Sequence, residues 1–467
     1  MIVSDSKQKE LSSKIDGSKS YNEIVSLLGQ LKKIDFSSEA PKKLKLLDEL
    51  CASPSKDMDV ILVGGTSGRS ITMFFASKLL AEENFKVGTC FSSSLLTYNE
   101  RICVNGQQIS NKDFAKIAAK VLDMIEARKI DASELEIIII VALIYFKAEG
   151  IQVALISTGL GGKNDCTAAF NPKIMALTKV SNSTASQEQE DENDQKAFEI
   201  MGAAKKDCWF VSAEQSKIRL QKMKALAEES GFYWAMPIRK LAPLPYIFEQ
   251  LYGKYASLAE RIAQIYSEEI KQKFSPFLRG NLLATQKGQR GRPTLEAKRE
   301  AELNPVKTLK SFWTDNFELL RGQFEIIDKE KPSIILDTAD CNDSFANLFL
   351  GIRLLHYRRP LKGLAVIMTI KSDVDAVECL KHIRYLLKKI QGEVFFISLP
   401  GQNVQKPHEL AQKAREINIR ANVSSSLKDA FEASRLIVDE RGGVVCITGC
   451  KEIIGEYWKN VREVKKL

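Results

Sequence analysis

Residues 64 to 72 read Gly-Gly-Thr-Ser-Gly-Arg-Ser-Ile-Thr, between an apolar run (residues 60–63) and a helical pattern (residues 72–83). Strand, glycine-rich turn, helix is the setting in which a loop binds phosphate. Glycines let backbone N–H groups converge on an anion, and a helix start adds partial positive charge. In that reading Gly65, Thr66, Ser67 and Gly68 cradle phosphates, Arg69 meets the outer ones, and the Ser70 hydroxyl is a Mg2+ ligand. The best-known loop of this kind has lysine before the hydroxyl, whereas this one reads Gly68-Arg69-Ser70. A planar guanidinium binds phosphate but does not fill the space of an ammonium. The same residues also describe a tight strand-to-helix turn that needs glycine for its conformation alone.

The surrounding pattern supplies the elements that would position such a loop. A strand at residues 85–91 ends in the serines 92–94, and helical patterns cover residues 110–129 and 133–149. A further strand, residues 153–156, runs into Gly159-Leu160-Gly161-Gly162. This alternation predicts a parallel α/β sheet. Upstream, residues 1–57 read as helical, with amphipathic stretches at 21–31 and 44–50. The acidic stretch 181–196 reads as an exposed loop. After Pro332, strands at 333–336, 363–370, 394–399 and 444–448 alternate with helices. That pattern predicts a separate Rossmann-like domain of roughly 135 residues. The expected fold class is therefore α/β: a P-loop-type parallel-sheet ATPase domain over residues 1–320, then a smaller Rossmann-like domain over 331–467.

Bulk properties exclude some classes. The chain has 467 residues, a net charge of +9, and ordinary apolar and charged fractions of 44% and 27%. The positive balance suits polyanionic ligands without choosing among them. Nine cysteines lie scattered with no CxxC pair, which reads as reduced thiols in a cytoplasmic protein. The opening residues lack the apolar core of a signal peptide. The longest apolar run, residues 137–146, is too short to span a bilayer and reads as a buried helix segment. The three histidines, His356, His382 and His408, read as structural or surface residues. In the basic segment 287–310, Arg290-Gly291-Arg292-Pro293 matches the core of a minor-groove-binding hook. A solvated loop before a helix at residues 294–303 ranks ahead of attraction to an acidic substrate tail, and DNA comes last.

Four motifs in order carry a family resemblance. Residues 86–110, KVGTCFSSSLLTYNERICVNGQQIS, resemble the folylpolyglutamate synthase pattern KVG-x-FTSPHL followed by ERI-x-VNG-x-x-IS. Residues 153–167, VALISTGLGGKNDCT, resemble VA-x-x-EVGLGGR-x-DATN. Residues 443–456, GVVCITGCKEIIGE, resemble V-x-VTGSLYLVGE, and the glycine loop is similar to GTNGKGS. The chain is thereby identified as resembling a divergent member of the folylpolyglutamate/dihydrofolate synthase family, within the Mur ligase superfamily. The resemblance implies a monomeric ligase that uses ATP and Mg2+ to phosphorylate a folate or pteroate carboxylate, which L-glutamate then attacks. No membrane and no nucleic acid are expected as partners.

Position by position, the resemblance implies phosphate contacts from Gly65, Thr66 and Gly68, with Arg69 where the family has lysine. It implies Mg2+ at Ser93 beside Ser70, and secondary ligand contacts from Lys205 and Asp337. Asp165 and Thr167 match the DAT element. Departures fall on charged positions. Ser157 stands where the family has a metal-binding glutamate, Ile200 where it has a carbamylated lysine, Gln323 where it has arginine, and Asp340 where it has histidine. The glycines that set backbone shape stay. Two readings follow: an active, divergent glutamate ligase, or a catalytically inactive relative that binds a nucleotide or a protein partner.

Overall fold

Val60 to Val63 are buried on both faces, as a strand with neighbours on either side must be. The computed structural model describes residues 19–159, 162–180, 187–279, 308–317 and 321–462. The first sheet is built from β1 (Asp59–Gly64), β2 (Val87–Cys90), β3 (Ile102–Val104), β4 (Gln107–Gln108), β5 (Val153–Ser157), β6 (Ile174–Leu177), β7 (Trp209–Ser212) and β8 (Tyr233–Ala235). Their order is β4-β3-β2-β5-β1-β6-β7-β8. All neighbours pair parallel except at β2–β3 and β3–β4. Val63 lies level with Ser157 and Ala176, and Cys90 with Ile156. The loops after β1, β2, β5 and β6 therefore leave from one edge. Ligands of open parallel sheets gather at that carboxyl edge.

Two helices show how the sequence fixes the packing. Helix Glu134–Glu149 contains the apolar run expected to be a buried segment, and residues from Leu135 to Leu143 are buried almost without interruption. Ser133 and Glu136 form a capping box at its start, and Gly150 ends it in the left-handed conformation. Helix Arg69–Glu82 begins directly at the glycine loop and buries Phe75, Leu79 and Leu80.

The second sheet comprises β9 (Glu325–Ile327), β10 (Ser333–Leu336), β11 (Leu364–Met368), β12 (Glu393–Phe396), β13 (Ala421–Val423) and β14 (Val444–Thr448), in the order β13-β12-β11-β14-β10-β9. Every pair is parallel except β9–β10. Helices Asn342–Arg358, Ala376–Ile390, Pro407–Glu416 and Leu427–Leu436 alternate with its strands. By packing, the chain divides into two units, residues 1–180, 194–239 and 255–289 in one, and 181–193, 240–254 and 290–467 in the other.

The α/β class with parallel sheets is as expected, and the structure corrects one stretch. Residues 187–196, expected as loop, belong to helix Gln187–Met201. Its later turns bury Ala197, Ile200 and Met201, and Asp194 pairs with Arg219 and Lys222. The basic segment lies outside the described residues from 287 to 307. Among the described residues no helix is long and apolar enough to cross a membrane, and all nine cysteines are unpaired.

Candidate functional site

The chain leaves β1 at Gly64 and turns sharply. Gly65 has φ of +125°, and a Cβ there would lie 2.1 Å from Thr178 Oγ1 and 3.0 Å from Lys179 O. No side chain fits, so glycine is required twice over, by conformation and by space. Thr66 N and Ser67 N donate to Lys179 O at 2.8 and 3.4 Å, which ties the loop to the segment after β6. Gly68 has φ of +84°, and a Cβ would lie 2.2 Å from the Tyr255 ring. Tyr255 also donates its hydroxyl to Ser67 Oγ at 3.1 Å, and its carbonyl accepts from Thr72 Oγ1 at 3.4 Å. The ring thus backs the loop from one side.

Helix Arg69–Glu82 starts at Gly68 with no side-chain cap. An uncapped start on a fourteen-residue helix keeps its dipole available to an incoming anion. Ser70 is exposed on its first turn. The Arg69 guanidinium donates to the Thr158 carbonyl oxygen, just past the end of β5. It lies close enough to Asp165 to favour that carboxylate's charged form. Asp165 is wholly buried. Its Oδ1 accepts from Thr167 N at 3.0 Å and Thr167 Oγ1 at 2.6 Å. Burial raises its pKa, against the opposing pull of the Thr167 bonds and the Arg69 charge.

Beside the loop, the ends of β5 and β2 carry hydroxyls. Ser157 donates to Ser92 Oγ at 3.2 Å. The hydroxyl facing Ser157 is therefore that of Ser92, one residue before Ser93, which is exposed. Ile200 is wholly buried, and a Cβ on Gly64 would lie 2.7 Å from its Cγ2. A methyl group thus stands at the root of the loop. Mg2+ favours one or two carboxylates with substrate phosphates and water. Here the nearby side-chain oxygens are mostly hydroxyls; Asp165 Oδ1 is engaged by Thr167, and its Oδ2, buried without a hydrogen-bond partner, is packed against Gly159. Among the described residues no cluster of three histidine, cysteine or acidic side chains could hold a metal. The donor set does not fit a Mg2+ held by the protein.

Lys205 follows helix Gln187–Met201, and its carbonyl accepts from Cys208 N before β7 begins. No described contact joins its ammonium to the glycine loop. Asp337 lies at the carboxyl end of β10 in the second sheet. It accepts from Phe324 N at 2.7 Å and Ala339 N at 2.8 Å, and burial pushes its pKa up to about 7. Beside it, Gln323 donates to Thr338 Oγ1 at 2.8 Å, and Lys371 pairs with Asp340 at 2.5 Å. His356 accepts from Leu361 N through Nδ1 at 3.1 Å, a structural role. The structure thus gathers Gly65, Thr66, Ser67, Gly68, Arg69 and Ser70 in one loop and helix start. It adds Ser92, Thr158, Lys179 and Tyr255, which the sequence did not single out. Ser92 was within reach of the serine motif, while Tyr255 lies in a region with no motif at all.

No family model matches the chain. A dihydrofolate synthase/folylpolyglutamate synthase of Bacillus subtilis is 30% identical over 143 residues, covering 30% of this chain and 33% of that protein. The chain therefore matches only about a third of that relative's length. The Haemophilus influenzae protein of the same name is 24% identical over 417 residues, covering 85% of this chain and 88% of its own. Among solved structures, a Mycobacterium tuberculosis folylpolyglutamate synthase complexed with ADP has a TM-score of 0.72 at 17% identity, covering 96% of this chain and 98% of that one. A bifunctional folylpolyglutamate synthase/dihydrofolate synthase with Mn, AMPPNP and L-glutamate bound has a TM-score of 0.69 at 18% identity, covering 95% and 98%. At these identities the structures show the fold. The relatives bear the names of synthases and lend no support to an inactive protein.

Proposed function

We propose that this chain, a divergent member of the folylpolyglutamate synthase/dihydrofolate synthase family, binds ATP on residues 65–70 and joins L-glutamate to the carboxylate of a folate or pteroate. The observation that carries this reading is the loop itself: a doubly constrained glycine turn feeding an uncapped helix, with a guanidinium beside it at the carboxyl edge of a parallel sheet.

In the first step a carboxylate oxygen of the pterin substrate attacks the γ-phosphorus, the bond to the β-phosphate oxygen breaks, and ADP leaves. In the second the glutamate amine attacks the acyl phosphate carbon, inorganic phosphate departs, and the amine loses a proton as the amide forms. The chain's contribution to both is positioning and charge compensation. Arg69 and the helix start hold the phosphates, and Tyr255 keeps the loop in shape. Lys205 and Asp337 are assigned secondary ligand contacts on the strength of the family resemblance. Ser70, exposed on the first helical turn, faces the same incoming phosphates; no described contact brings Ser93 to it. The unpaired cysteines support a reducing compartment such as the cytoplasm, and the resemblance supports a monomer.

The test is ADP release from ATP by the purified protein, with L-glutamate and a panel of dihydropteroate, dihydrofolate and tetrahydrofolate. Release that needs glutamate and one pterin, and that is abolished in Arg69→Ala, is the expected result. Turnover unchanged in Arg69→Ala removes the assignment of that residue.

A further inference from the structure

We infer that nucleotide binds this site without a divalent cation, the phosphate charge being met directly by the Arg69 guanidinium. The inference rests on the nucleotide-binding half of the function proposed above.

The argument begins with what the wall lacks. A metal at such a site offsets two sets of negative charge at once, the phosphates and the carboxylates that hold the ion. Here the wall presents the Ser157 and Ser92 hydroxyls, 3.2 Å apart, and the methyl groups of Ile200 against Gly64. Asp165, the described carboxylate beside Arg69, accepts from Thr167 through the same oxygen twice. Among these described side chains Asp165 alone is acidic, and the Arg69 charge already faces it, so no ion is needed to bridge the wall and a phosphate.

What the site has instead is a fixed cation. Arg69 is the first residue of helix Arg69–Glu82, so its Cα sits where the helix dipole is most positive. Its side chain is held at the end of β5 by the Thr158 carbonyl. Guanidinium takes phosphate oxygens in a two-pronged, charge-assisted arrangement that an ammonium cannot reproduce.

Calorimetric titration of the full chain with ATP and with ADP, in EDTA and in excess Mg2+, tests this. The expected dissociation constants agree within about threefold between the two conditions, a difference of under 1 kcal/mol. In EDTA, Arg69→Ala weakens binding by about tenfold or more, the loss of a charge-assisted pair. Ser157→Glu, which places a carboxylate at the end of β5, weakens binding in EDTA and makes it respond to Mg2+. Circular dichroism confirms that each variant is folded, and the wild-type comparison stands without any variant. Binding by the wild type that falls tenfold or more in EDTA overturns the inference and leaves the ligase reading in place. Absence of binding in both conditions overturns both.

Discussion

Gly68 and Tyr255 share a space that one methyl group would close. With φ of +84° and a Cβ position 2.2 Å from the ring, Gly68→Ala meets a conformational cost and a clash together. Urea denaturation is expected to show a loss of about 1–3 kcal/mol. The double variant with Tyr255→Ala removes the clash alone, so the two losses combine less than additively. Full additivity would mean that the ring does not back the loop. Titration gives a second residue-scale prediction. Burial pushes both Asp337 and Glu260 up to about 7, while unfolded carboxylates titrate near about 4. Between those values the folded chain binds more protons than the unfolded one, so both groups make stability fall as pH rises from about 4 to about 7. Above the folded value their effect is constant. Asp337→Asn is expected to flatten this slope in a series of denaturation curves; an unchanged slope would assign it to other groups.

Among the elements, helix Glu134–Glu149 is where sequence and structure agree most closely. Its apolar run, serine cap and terminal glycine are all readable signals, and the buried Ile137 to Leu143 follow from them. Ile139→Ala leaves a cavity in that packing and is expected to cost about 2–5 kcal/mol, read by the shift in urea midpoint. A loss below about 1 kcal/mol would show a site able to collapse. Strands β10 and β14 were legible to the residue, because each is a short apolar run between clear turns. Strands β6, β7, β8 and β13 were not, although β6 and β7 are as long as β10, so short length alone does not decide legibility. Helix Gln187–Met201 was hidden by its acidic start. What supports it is distant in sequence, chiefly the bonds from Arg219 and Lys222 to Asp194. The candidate site divides the same way. The glycine loop is a local signal and could be read, whereas Tyr255, Lys179 and Thr158 reach it only through folding.

At the scale of the whole molecule, the chain aligns over 85% of its length with the Haemophilus influenzae protein at 24% identity, and it shares its fold with the Mycobacterium tuberculosis structure at a TM-score of 0.72. Shape at the loop is carried by glycines whose replacement would clash, and Ser157 and Ile200 are buried beside it. A ligand that binds only the folded chain raises its stability by mass action, by about 2.7 kcal/mol at one hundred times its dissociation constant. ATP is therefore expected to raise the melting temperature of the wild type and, at the same concentration, to raise that of Arg69→Ala far less. Equal shifts would place the nucleotide elsewhere. The most direct test of the account is mass spectrometry of the pterin after incubation with ATP and L-glutamate. The account predicts a pterin heavier by one glutamyl residue, formed with one ADP per amide bond and absent when either ATP or glutamate is omitted. A folded protein that binds ATP yet leaves every pterin of the panel unchanged would contradict it.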